Sequence, residues 1–218
     1  MRPRELIIHI FMKARGDTGP DLSRGPLSDR IRDAAVALLC AHRDGWVLEV
    51  GVGEGLLAEE VVARGIARKF VGMDILRDNL KEARKRIGTP GTFSGVCARG
   101  DALPFRPVAF ARVVCINTLH NQPSWAEVEA IVTAAVRLVR QGGSLIIDIR
   151  NGWDPVISSA YRYSTLFDPS TKRLPVRAYR LGRLRRLLGR NGFRIVKKTR
   201  IYYPFWCFPS AYVIEARR

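Results

Sequence analysis

Apolar side chains recur at Ile31, Ala34, Ala35, Leu38 and Leu39, the three- and four-residue spacing of a helix with one buried face, and predict a helix over 27–41. Ser28 and Asp29 are both of a type that caps a first turn, and the sequence leaves open which does so. Short apolar runs then alternate with longer amphipathic ones: a strand at 46–50, a helix at 54–64, a strand at 70–73 and a helix at 77–87. Gly88-Thr89-Pro90-Gly91 closes that helix by turn chemistry. Strands follow at 93–97 and 111–116, then a helix at 124–140, and Gln141-Gly142-Gly143 turns the chain into a strand at 144–149. Strands separated by helices of this length pair in parallel through right-handed crossovers, so the pattern predicts an α/β chain with helices on both faces of its sheet.

Past residue 150 the alternation breaks. Residues 151–177 are polar, aromatic and proline-bearing, with Trp153, Tyr161, Tyr163 and Phe167, and read as an insert that serves as a lid or binding loop. The insert follows the carboxyl end of a strand, where open α/β sheets bind ligands. A helix at 178–190, closed by Asn191-Gly192, and strands near 193–202 and 211–216 complete the chain. One domain over 27–218 is expected, preceded by an arm or lid over 1–26.

Composition narrows the class. The chain has 218 residues, 47% hydrophobic and 26% charged, which is the balance of a single globular domain. Residues 201–214 are interrupted by Pro204 and Pro209 and are too short to span a bilayer as a helix. The basic, apolar start at 1–12 has no small-residue cleavage site after it, so a cytoplasmic protein without a cleaved signal is expected. Cys40, Cys97, Cys115 and Cys207 form no C-x-x-C pair, and neither a metal site nor a disulfide framework is indicated.

Charge adds a partner class. The net charge of +17 favours an anionic partner. Arginine greatly outnumbers lysine, which base composition alone can produce, yet 169–214 contains no acidic residue at all. Leu181, Leu184, Leu187 and Leu188 form the buried stripe of the basic helix, leaving Arg183, Arg185, Arg186 and Arg190 on other faces. The aromatic run Tyr202, Tyr203, Phe205, Trp206 and Phe208 follows. Cations beside amphipathic aromatics suit an anionic membrane surface, with RNA as the alternative through phosphate contacts and base stacking.

The most informative segment is Val47-Leu48-Glu49-Val50-Gly51-Val52-Gly53-Glu54-Gly55. Its glycines let a backbone turn approach an adenosine-type cofactor closely. A dinucleotide fingerprint would place its third glycine one residue later, at Leu56, so the spacing favours S-adenosylmethionine. The second strand ends at Asp74, where a doubly wound sheet puts a carboxylate for ribose hydroxyls, and Asp101 in Gly100-Asp101-Ala102 follows the third strand.

Over residues 27–147 this combination resembles the class I S-adenosylmethionine-dependent methyltransferases, in the type 11 branch that includes the ubiquinone and menaquinone C-methyltransferases. The resemblance implies a Rossmann-like doubly wound sheet of about seven strands, mostly parallel with an antiparallel last strand. It implies that Glu49, Gly51, Gly53 and Gly55 face the methionine end of the cofactor, Asp74 the ribose, Asp101 and the Ala102 backbone the adenine edge, and Asn117 the methionine group. Phe110-Ala111 departs from the Phe-Asp common in the family, a position that is structural there.

Methyl transfer to oxygen or carbon often needs a base, and His120, which follows the fourth strand, is the candidate, against a role as a cap or packing group. Tyr161 and Tyr163 are candidates for acceptor contacts or for packing the insert. Arg150 and Asn151 sit where this fold lines its acceptor cleft, Arg150 as an oxyanion holder or a surface cation. The expected acceptor is a hydroxyl or carbon of a small, glycan or lipid-linked molecule, with a peripheral position at the membrane. RNA methylation at a ribose or ring position and a non-catalytic cofactor-binding protein are the rivals. Asn117-Thr118-Leu119-His120 lacks the Pro-Pro-aromatic continuation that goes with base amino-group methylation.

Overall fold

The computed structural model describes residues 25–41, 45–88, 91–162 and 176–218. Its elements in chain order are α1 (Pro26–Cys40), β1 (Trp46–Val50), α2 (Leu56–Ala63), β2 (Lys69–Asp74), α3 (Arg77–Ile87), β3 (Phe93–Cys97) and β4 (Phe110–Cys115). They continue with a 3-10 turn (Leu119–Asn121), α4 (Trp125–Leu138), β5 (Val139–Arg150), α5 (Pro155–Arg162), α6 (Leu181–Arg190), β6 (Arg194–Tyr202) and β7 (Pro209–Arg217).

The strands form one sheet in the order β3-β2-β1-β4-β5-β7-β6. All pairs are parallel except those of β7, which runs antiparallel between β5 and β6. The expected doubly wound sheet with an antiparallel last strand is therefore the fold. Strand alternation splits the core in two. Val47, Phe70, Val114 and Ile146 pack with α1, α2 and α3 on one face. Leu48, Val71, Val113 and Ile147 pack with α4 and α6 on the other. Because alternation has a period of two, Glu49, Asp148 and Arg150 fall on the face that α1 covers, and this places charge inside the molecule.

Three boundaries differ from expectation, each for a local reason. Helix α4 is capped by Ser124, whose side chain and that of Glu127 satisfy each other's backbone N–H groups, but it ends at Leu138. Gln141-Gly142-Gly143 is then a bulge inside one long strand rather than a turn before it. The β4–β5 register jumps from Phe110↔Val139 to Arg112↔Ser144 across it, and a Cβ on Gly143 would stand 2.6 Å from the Ala111 carbonyl oxygen. Within the insert, 155–162 is helical: the Asp154 Oδ1 accepts from Val156 N at 2.9 Å and Ile157 N at 3.3 Å, a helix start that the following proline reinforces. Helix α6 begins at Leu181 because Tyr179 is committed to a bridge with Asn151. Residues 1–24 of the arm expected over 1–26, and Tyr163, lie outside the described residues; Pro26 already belongs to α1.

Candidate active site

The carboxyl ends of β1, β2, β4 and β5 converge on one edge of the sheet. Gly51 N and Val52 N both donate to the Met73 carbonyl, at 2.8 and 2.9 Å, and bind the turn after β1 to the end of β2. Gly51, Gly53 and Gly55 have φ of 80°, 53° and 83°. The outer two are required by neighbours: a Cβ on Gly51 would lie 2.7 Å from Thr118 Cγ2, and one on Gly55 2.8 Å from Ala83 Cβ. At Gly53 a Cβ would meet nothing within 4 Å, so this glycine borders open space.

Asp74 is buried at the tip of β2. Its Oδ2 accepts from Gly53 N at 2.9 Å, and its Oδ1 from Leu76 N at 2.9 Å and Asn79 Nδ2 at 3.2 Å. Glu49 is 3% exposed, and its Oε2 has no hydrogen-bond partner among the described residues. Burial pushes its carboxyl well above the ordinary range; Arg32 opposes the shift and Asp74 adds to it. Arg32 itself is paired with Asp29 on α1. Asp101 is bonded to Arg99 rather than to this cluster. Both its oxygens are taken by Arg99, at 3.0 and 2.8 Å, an interaction that lowers its pKa, and Ala102 N donates to the Arg99 carbonyl at 3.1 Å.

At the end of β4, Asn117 adopts φ 53°, and its N–H donates to Asp148 Oδ1 at 2.6 Å. Its Oδ1 accepts from Arg150 Nη2 at 3.0 Å and its Nδ2 donates to the Ser28 carbonyl at 3.3 Å. Asp148 and Arg150, each 2% exposed, form an ion pair at 2.9 Å. Burial raises the Asp148 carboxyl, while Arg150 and the Asn117 N–H hold it down. Arg150 Nε also donates to the Tyr161 hydroxyl at 3.2 Å. Arg150 is thus no surface cation; it ties β5, β4, α1 and α5 together. His120 is buried on the 3-10 turn, with its ring 6.3 Å from that of Tyr161 at 26°.

Asn151, expected to line the acceptor cleft, has both ends of its amide engaged in the backbone. Its Nδ2 donates to the Pro209 carbonyl at 2.7 Å and its Oδ1 accepts from Trp153 N at 3.1 Å, so it fixes the β5–β7 end. Sequence reasoning missed Asp148 and Thr118. Asp148 carried a signal, an acid within Ile146-Ile147-Asp148-Ile149. Thr118 carried none; its hydroxyl donates to the Ile116 and Val50 carbonyls at 2.9 and 3.2 Å and fills the space that Gly51 leaves. Among the described residues no His, Cys, Asp or Glu group is placed to hold a metal ion. An open glycine, a buried carboxylate lacking a donor and a second carboxylate at the next strand end suit a polyhydroxylated ligand that also carries a cation.

Comparison with known proteins agrees with this geometry. Residues 47–143 match a family model described as a methyltransferase domain. The ubiquinone biosynthesis O-methyltransferase of Idiomarina loihiensis is 30% identical over 138 residues, 61% of this chain and 54% of that protein. The chain spans about half the length of the curated relatives it matches. Among solved structures, the N-methyltransferase NodS of Bradyrhizobium japonicum in complex with S-adenosyl-L-homocysteine superposes with a TM-score of 0.71 at 12% identity, covering 97% of each chain. The Burkholderia thailandensis 1,6-didemethyltoxoflavin-N1-methyltransferase, with 1,6-didemethyltoxoflavin and S-adenosylhomocysteine bound, gives 0.68 at 19% identity over 100% of this chain and 91% of its own. At those identities the structures share the fold.

Proposed function

We propose that this chain, which carries the class I S-adenosylmethionine-dependent methyltransferase domain and so takes S-adenosylmethionine as its cofactor, transfers a methyl group to a hydroxyl or carbon of a small, glycan or lipid-linked acceptor. The observation that carries the cofactor site is the orphaned Glu49 Oε2 beside the open flank of Gly53. A buried carboxylate without a donor fits an ammonium group. In this reading Glu49 receives the amino group at the methionine end, and Asp74, whose Oδ2 takes one N–H, has capacity left for the ribose hydroxyls. The Asn117 backbone borders the methionine end, and Asp101 with Ala102 reaches the adenine edge after exchanging Arg99 for the base.

The cofactor supplies a methyl group on a sulfonium, and the protein aligns an acceptor with it and excludes water; alignment contributes about 7–11 kcal/mol in such reactions. His120 takes the acceptor's proton, with its imidazole packed on Tyr161. Arg150 acts as a positioning residue: it holds Asn117 and the Tyr161 hydroxyl, and Asp148 balances its charge.

The acceptor side also carries the membrane proposal. The β6–β7 connection exposes Phe205, Trp206 (87%) and Phe208, and lies at the same end of the sheet as the glycine turn. No helix among the described residues is long and apolar enough to cross a membrane. Peripheral attachment to anionic lipid follows from the aromatic tip and the acid-free stretch before it.

Transfer of labelled methyl from S-adenosylmethionine to phenolic, glycan, lipid and RNA pools tests the acceptor class, with vesicle sedimentation alongside. Label in a hydroxylated small molecule or lipid, with sedimentation that grows with anionic lipid and falls with salt, is the expected result. Label confined to RNA would replace the acceptor proposed here.

A further inference from the structure

A second concavity adjoins the acceptor end and has no part in the cofactor site. It is a groove of about 760 Å³ between the start of the insert and α6, lined by Trp153, Tyr179, Arg180, Arg183, Arg185 and Arg186. That volume falls within the roughly 300–1,000 Å³ of small-molecule sites. Its walls are fixed to the machinery already described: Tyr179 N donates to the Arg150 carbonyl at 2.9 Å, and Arg177 N to the His120 carbonyl at 2.7 Å.

Four arginines line the groove, and among the described residues none of them pairs with a carboxylate. Two are held in place by aromatic faces. Arg180 lies 4.2 Å over the Trp153 ring and Arg183 4.5 Å over the Trp125 ring, which itself packs edge-on to Tyr179 at 5.3 Å. Stacking fixes a guanidinium plane while leaving its N–H fork free, so less rotamer freedom is lost when an oxyanion arrives. Trp153, 64% exposed, and Tyr179 provide an apolar wall beside these forks.

We propose that this groove receives an oxyanion, a phosphate or carboxylate, carried by the methyl acceptor, and thereby selects anionic acceptors. The proposal rests on the methyltransferase reading for the word acceptor; the anion site stands on the arginines and aromatics alone. Arg183 and Arg186 grip the oxyanion as charged donors, Arg180 closes over it from its seat on Trp153, and the uncharged body of the acceptor extends toward His120.

Calorimetric titration with phenyl phosphate, benzoate and phenol tests the anion site, with S-adenosylhomocysteine titrated in parallel. Wild-type protein should bind phenyl phosphate or benzoate in preference to phenol, and Arg183→Gln with Arg186→Gln should weaken that binding roughly tenfold through lost charge-assisted hydrogen bonds. Arg68→Gln with Arg106→Gln, in a basic concavity at the opposite end of the sheet, should leave it unchanged and so controls for the overall positive charge. Dihexanoyl phosphatidic acid distinguishes the source of the anion: tighter binding than phenyl phosphate at the same arginines assigns it to a lipid, and weaker binding to a small solute. Equal affinities in wild type and the Arg183/Arg186 variant, equal losses in both double variants, or no binding of either anion would overturn the proposal. Absence of S-adenosylhomocysteine binding by wild-type protein would instead sink the methyltransferase reading, and the anion results would remain interpretable without it.

Discussion

With Glu49 as the proposed receiver of the cofactor's amino group, folding and cofactor binding pull in opposite directions at this residue. Replacing it with Gln keeps the shape of the side chain and removes the charge. Because burial raises its pKa in the folded chain, the folded state holds a proton that the unfolded state releases above about pH 4.3. Wild-type stability therefore falls as pH rises from that value through the raised pKa, after which the loss is complete. Glu49→Gln escapes that loss. The orphaned Oε2 sets the scale: an unsatisfied buried polar group costs about 1–3 kcal/mol, more when charged, and the new amide N–H groups return part of it. A net gain of about 1–2 kcal/mol at pH 8 is expected, shrinking toward zero near pH 4. In a chain of this size that is a rise of about 2–8 °C in Tm. Binding should respond in the opposite sense. A charge-assisted hydrogen bond contributes about 1.5–3 kcal/mol, so the variant should bind S-adenosylhomocysteine at least about tenfold more weakly. Wild-type binding should release a proton below the raised pKa, read from calorimetry in buffers of different ionisation enthalpy. Urea denaturation at pH 5 and pH 8 checks the stability arm. A variant less stable than wild type by the same amount at both values, with unaltered affinity for S-adenosylhomocysteine, would refute the reasoning.

Asp148→Asn strands the buried Arg150 guanidinium, and breaking such a pair costs about 3–5 kcal/mol, measurable as a lowered denaturation midpoint. Arg150→Met with Asp148→Leu should recover much of that loss, since an apolar pair carries no desolvation cost. His120→Ala should lower turnover about 10²–10⁴-fold with S-adenosylhomocysteine affinity retained, and the pH-rate profile should lose one ionisation; an unaltered profile returns His120 to packing. Changing Phe205 and Trp206 together to Ser should weaken sedimentation with anionic vesicles and leave the melting temperature within about 1 °C, because both side chains are exposed.

The parts legible in the sequence were those set by period and by backbone geometry. Alternation of strands and helices identified the doubly wound sheet, and the alternate glycines marked the turn whose positive φ values the structure shows. Bounds failed where chemistry outside the local pattern took over. Gly142-Gly143 reads as a turn, but the β4 neighbour accommodates it as a bulge, and only the strand pairing reveals that. Arg150 and Asn151 were legible as polar residues at a strand end and illegible in role, because their partners, Asn117, Tyr161 and Pro209, are brought to them by tertiary packing. Asp101 was expected at the adenine edge from its place after β3, whereas its pairing with Arg99, two residues away, is not visible in the motif.

The central claim is that the turn around Gly53 holds an adenosyl cofactor, and titration of S-adenosylhomocysteine into wild type and Gly53→Val tests it most directly. A Cβ at Gly53 meets no protein atom within 4 Å and so points into the space assigned to the ligand; because φ 53° strains a β-branched residue, circular dichroism must first show that the variant is folded. The account predicts saturable binding by wild type and a loss of at least about tenfold, or about 1.4 kcal/mol, in the variant. Equal affinity in the two folded proteins, or no binding by wild type, would contradict it.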